Sequence, residues 1–163
     1  MMMPARLRLL LYCFLLIPSL VLAEEKHPRE SCEVCGMYID LYMKTAAELV
    51  YKDGSVKHTC GVACMFRLVE DAGGPSAFRS IKVHEWGSGR ELDAEGAYYV
   101  VGSKVIPDML PNYIAFATEE EAEAFTAGEG GQVISFSHAM EDLSPVGTTA
   151  PFRIRTAVTP GKG

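Results

Sequence analysis

Positive charge is in short supply in this 163-residue chain: 15 Lys and Arg stand against 21 Asp and Glu, a formal charge of −6. A nucleic-acid binder needs a basic face for the phosphates, so that class is excluded. No Ser/His/Asp arrangement, phosphate loop or nucleotide fingerprint can be picked out, which removes the usual signatures of hydrolytic and nucleotide chemistry. A bilayer-spanning run is missing too. The apolar stretch from Leu9 to Leu22 has 14 residues and contains Pro18, whereas a spanning helix needs ~20. What the chain does have is apolar matter, 48% of its residues, too much for an acidic disordered tail.

The short apolar run has a different meaning. Arg6 and Arg8 precede it, and Val21-Leu22-Ala23 ends it just before Glu24-Glu25. A basic start, an apolar middle and a small residue at the end describe a secretory signal cleaved after Ala23. No Cys immediately follows that point, so the expectation is a periplasmic protein with no stable membrane anchor after cleavage. Losing residues 1–23 removes two Arg and no acid, leaving a charge of −8, and removes one Cys of five.

Residues 24–31 read as a polar leader, and the domain is expected over 32–139, in halves of about 32–86 and 87–139. Glu48 to Thr59 reads as a hairpin around Asp53-Gly54, a dipeptide that accepts positive φ at both turn positions. Val62, Met65, Phe66 and Val69 share one helix face, and that helix should stop at Gly73-Gly74-Pro75. Ile81 to Trp86 alternates like a strand. The second half repeats the order: a strand at Ala97–Val101, an irregular 104–114 with room for a short strand, a helix capped by Thr118 and Glu121 and ended by Gly128, and a strand at Gln132–Phe136. The fold class is therefore α+β, two ββαβ halves packed into one compact unit. From about Met140 to 163, prolines and glycines with few apolar residues suggest a loose tail.

The four remaining cysteines come in two close pairs, Cys32/Cys35 and Cys60/Cys64. Export favours disulfides, yet both spacings are also those of metal sites. Four thiolates in a tetrahedron favour Zn(II); thiolates mixed with thioethers favour Cu(I). Cys60 and Cys64 sit where the hairpin enters the first helix, one helical turn apart, and are read as further ligands or a disulfide. His58 falls on the strand leading to Cys60 and could face it. Met65 belongs to the apolar helix face and reads as core.

C-x-x-C-G-M at Cys32–Met37, D-G-S-V at Asp53–Val56, L-D-A-x-x-A-Y-Y-V-V-G-S at Leu92–Ser103, P-x-M at Pro107–Met109 and F-A-T-x-x-x-A-x-x-F at Phe116–Phe125 occur in order. Together they resemble the NosL family, accessory proteins of nitrous-oxide reductase assembly. The resemblance implies a periplasmic Cu(I)-binding metallochaperone that is not an enzyme. Its partners would be copper donor and acceptor proteins, among them assembly factors of the reductase. By position, Cys32, Cys35, Met37 and Met109 are the implied metal residues, to which this chain adds Cys60 and Cys64. It departs from the family pattern at Asp108, where a glycine is usual, and in lacking the lipid-accepting Cys. Two other classes stand beside this reading. One is a structural four-thiolate zinc module. The other is a thiol–disulfide oxidoreductase using Cys32 and Cys35, which would want that pair at a helix start, whereas the strand-like Met37-Tyr38-Ile39 follows it.

Overall fold

The structure is a computed structural model that describes residues 29–143. The expected signal segment and the chain beyond 143 lie outside the described residues. Two sheets carry the architecture. The first runs β2-β1-β3-β4 (β1 Ala47–Tyr51, β2 Val56–Thr59, β3 Phe78–His84, β4 Glu91–Asp93), and the second β6-β5-β7 (β5 Tyr98–Val101, β6 Tyr113–Phe116, β7 Gln132–Ser135). Helix α1 (Val62–Asp71) links β2 to β3, and helix α2 (Glu119–Glu129) links β6 to β7. Each half is thus ββαβ with its first strand between the other two, β4 is added to the first sheet beside β3, and every pairing is antiparallel. No helix among the described residues is long and apolar enough to cross a membrane.

The local chemistry explains most of these elements. Val62, Met65, Phe66 and Val69 lie on one face of α1 and are all 0–1% exposed. Thr118 caps α2: its hydroxyl accepts from the Glu121 amide, and the Glu121 carboxylate accepts from the Thr118 amide, two orphan donors satisfied reciprocally. The hairpin differs in detail from expectation. Its connection is four residues long, and of the Asp53-Gly54 pair only Gly54 has positive φ (90°). Asp53 instead accepts from the Ser55 amide and hydroxyl at 2.8 and 2.6 Å, a side-chain turn that replaces the second left-handed residue.

Three further differences have physical causes. Met37-Tyr38-Ile39 is not a strand: Tyr38 makes one isolated bridge to Ser31, and Ile39–Leu41 is a 3-10 turn. Gly128 lies inside α2, which ends at Gly130 with φ 72°. Phe136 does not close a strand but opens helix α3 (Phe136–Leu143), so 140–143 are not loose chain. Ala139 is buried and Met140 packs on the main core, which is enough apolar contact to hold a helix of eight residues against fraying.

One core serves both halves. It joins Leu49, Phe66, Ile81 and Val83 to Tyr99, Tyr113, Ile134 and Phe136. The Phe66 ring lies 5.0 to 5.3 Å from the rings of Tyr99, Tyr113 and Phe136. A second, separate cluster forms where the start of α1 meets the Cys32 turn, and it contains Cys32, Cys60 and Cys64.

Candidate metal centre

The Cys32–Met37 segment folds back on itself. The Cys32 amide donates to the Met37 carbonyl at 2.7 Å and the Gly36 amide to the Cys32 carbonyl at 2.9 Å. Gly36 has φ 78°, a conformation an L side chain resists, so glycine is what closes the turn. The Glu33 amide donates to the His58 carbonyl at 3.2 Å and pins the turn to β2. On the opposite side, the Thr45 hydroxyl donates to the Cys60 carbonyl at 2.9 Å, fixing the backbone between β2 and α1. Cys64 then stands in the first turn of α1.

These three positions converge. The sulfurs of Cys32, Cys35, Cys60 and Cys64 all lie within 4.8 Å of one another. Cys35 and Cys60 are 3.4 Å apart and Cys60 and Cys64 3.9 Å. A tetrahedral ion about 2.3 Å from each thiolate would separate the sulfurs by about 3.8 Å, so the cluster has the size of a metal site. Met109 reaches it from the loop between β5 and β6, with its Sδ 3.6 Å from Cys64 Sγ. Met37 is half-buried and packs against the same cluster. All four cysteines are free thiols; Cys35 is exposed and the other three are buried.

The thiols are not equivalent. Burial raises the Cys32 thiol, but hydrogen bonds from the backbone of Cys60, Cys35 and Val34 and from the Cys35 side chain outweigh it and hold its pKa at about 7. Cys60 and Cys64 go the other way: burial pushes both up, and the neighbouring sulfurs push them further. The Cys32 thiolate is therefore available near neutral pH, and Cys60 and Cys64 ionise when a cation compensates them.

The remaining candidates are placed elsewhere. His58 faces carboxylates, not the sulfurs: Nδ1 lies 2.5 Å from Glu30 and Nε2 3.4 Å from Glu48. Met65 is fully buried core. The residue that spacing does not reveal as part of this region is Asp108. Both of its oxygens are buried with no partner in good hydrogen-bond geometry, and burial, only partly offset by the Met109 and Asp108 amides, raises its carboxyl above the usual range. Its departure from the family pattern was the sole signal in the sequence.

The comparisons with known proteins agree on one family. A family model described as NosL matches residues 24–144. The "Copper-binding lipoprotein NosL" of Stutzerimonas stutzeri is 31% identical over 125 residues, 72% of this chain. That match spans 65% of the relative's own length, a little under two thirds. Among solved structures, the crystal structure of the copper chaperone NosL from Shewanella denitrificans superposes with a TM-score of 0.60 at 25% identity, over 66% of this chain and 87% of that one.

Proposed function

The chain belongs to the NosL family, and from that premise we propose that it is an exported carrier that takes up Cu(I) and hands it on without catalysis. Copper is its cargo. The observation that carries the reading is the mixed sulfur set, four thiols within 4.8 Å with the Met109 thioether 3.6 Å from Cys64. Soft thiolate and thioether ligands select Cu(I). Cys32, Cys35, Cys60, Cys64 and Met109 form the ligand set, with Met37 at its apolar edge.

The inequality of the thiols orders the loading. Cys32 already shares its sulfur with backbone N–H groups and meets the ion as a thiolate. Cys60 and Cys64 release their protons to solvent as the ion arrives. Exposed Cys35 is the ligand an incoming donor or acceptor protein reaches first, so exchange runs through it. The copper-related partners are donor and acceptor proteins of the cell envelope, with assembly of nitrous-oxide reductase as the pathway the family suggests. Cleavage after Ala23 releases the carrier into the periplasm, in contrast to the relative named a lipoprotein.

One observation favours a second reading: separations of 3.4 and 3.9 Å also fit a four-thiolate Zn(II) site. Thiol–disulfide exchange has less support: the thiol held low is Cys32, whose pair with Cys35 lies in a turn and not at the start of an α-helix, whereas Cys64, in the first turn of α1, has its pKa raised. Anaerobic competition titrations separate the first two. Met109→Ala is expected to weaken Cu(I) binding about tenfold, or ~1.4 kcal/mol, and to leave Zn(II) unchanged. Cys32→Ser/Cys35→Ser should abolish high-affinity Cu(I) binding. Equal response of both metals to Met109→Ala would contradict the copper reading.

A further inference from the structure

The loop between β5 and β6 has a tied neck and a separate tip. At the neck, Asn112 is 1% exposed. Its Oδ1 accepts from the Gly102 amide at 3.1 Å, and its Nδ2 donates to the carbonyls of Ser103 (3.0 Å) and Val105 (2.5 Å). Beyond these bonds the tip runs from Ile106 to Leu110, and both of those residues are exposed. Between them the chain turns two side chains inward. Met109 reaches Cys64, and Asp108 lies against Gly61, so close that a Cβ on Gly61 would sit 1.4 Å from a carboxylate oxygen.

That carboxylate is in an unfavourable place. Both oxygens are buried and neither has a partner in good hydrogen-bond geometry; the amides of Met109 and Asp108 offset the burial only in part, and the carboxyl stays raised. A carboxylate removed from water and so poorly bonded opposes its own burial strongly. The positive end of α1 is adjacent, but a helix end offsets only a small part of such a penalty. Carboxylate oxygen is also a poor partner for a soft monovalent ion, so Asp108 is not explained as a ligand. Asp108 and Met109 are neighbours in the chain, so the thioether cannot close on the thiols without burying the carboxylate.

We propose that residues 106–110 form a flap and that Asp108 is the positioning residue that biases it open, so that Met109 is held over the thiols chiefly by the cargo ion and is let go readily on transfer. The proposal rests on the Cu(I) reading for the cargo but not for the flap. Two contributions therefore oppose each other: ligation of Met109 closes the tip, and hydration of Asp108 reopens it.

The test compares Asp108→Asn and Asp108→Ala with the parent protein in two measurements. The first is release of bound Cu(I) to an excess of a bidentate Cu(I) chelator under anaerobic conditions. Release is expected to slow about tenfold in both variants, with Ala at least as slow as Asn. Added to Met109→Ala, neither substitution should change release by more than about twofold, because the flap then has no grip on the ion. A direct electrostatic role gives the opposite sign, since removing a negative charge beside a cation speeds release. A role as helix cap would make Ala the fastest.

The second measurement needs no metal: amide hydrogen exchange across 106–110 in the metal-free protein. Exchange there should slow about tenfold in both variants, with exchange in β1 and β3 unchanged. Unchanged or faster exchange in the variants overturns the flap. If the parent takes up no Cu(I) while the exchange result holds, the cargo assignment falls and the flap stands.

Discussion

Gly61 has extended backbone, φ −164° and ψ 169°, which any residue adopts; its missing side chain is a matter of space. Gly61→Ala would drive a Cβ into the Asp108 carboxylate and push the tip off Cys64. Cu(I) affinity should fall about as far as in Met109→Ala, roughly tenfold, and Asp108→Gly should restore it. Competition titration of the three variants checks this, and failure of the rescue would mean the two residues are not in contact. A second carboxylate shows the opposite condition. Glu85 accepts from the hydroxyl of Ser88 and from the amides of Gly87 and Ser88, at 3.0 and 3.1 Å for the amides. With the Ser88 hydroxyl as the largest cause, its carboxyl is held below the usual range. A lowered folded pKa gives stability that is present above the unfolded value of about 4.3 and lost as pH falls through the folded one. Glu85→Gln should therefore lower the melting temperature at neutral pH and shrink that gap in acid, as melts between neutral and acid pH would show.

Among the elements, those with their own local signal were legible in the sequence. The face Val62, Met65, Phe66, Val69 located α1, and Thr118 with Glu121 located the start of α2. Thr118→Ala should destabilise the protein by about 1 kcal/mol, readable by urea denaturation, because the Glu121 amide loses the hydroxyl that accepts from it. Elements that depend on a neighbour were not legible. Strand β4 is three residues, Glu91–Asp93, too short to show a period, and exists because Leu92 pairs with Val83 across the sheet. Helix α3 was hidden by the prolines and glycines that follow it and is held by Ala139 and Met140 on the shared core. The same division holds at the sulfur cluster. Pair spacing marked all four cysteines, but that Cys35 approaches Cys60 more closely than Cys64 does is set by the hydrogen bond from Glu33 to His58, a contact between distant segments. Asp108 could be seen as unusual, not as buried.

For the molecule as a whole, the repeated strand order conceals a division of labour. The first half supplies all four thiols and the second half supplies the thioether, so the cluster is complete only when the halves are docked. Phe66 is central to that docking, in contact with three aromatic rings of the second half. Phe66→Ala should cost about 3–5 kcal/mol, and the variant should still melt in one transition, with Cu(I) binding lost over the same temperature range. Two separable transitions would show that the halves fold independently and that the shared core is less cooperative than its packing indicates. The Trp86 amide also donates to the Ala115 carbonyl at 2.9 Å, joining the end of β3 to the neighbouring sheet.

The closeness of exposed Cys35 to buried Cys60, 3.4 Å between sulfurs, has a consequence for how the protein ages outside the cell's reductants. In air this pair should be the first to couple, ahead of Cys60 with Cys64, and peptide mapping after mild oxidation would identify the link. The bond would close a loop of about 26 residues and restrict the unfolded chain by roughly 3.5 kcal/mol in the loop-entropy view. Handling in air would thus yield material that survives heating better and carries less, and a melting curve used alone as a measure of quality would rank the spent protein above the working one.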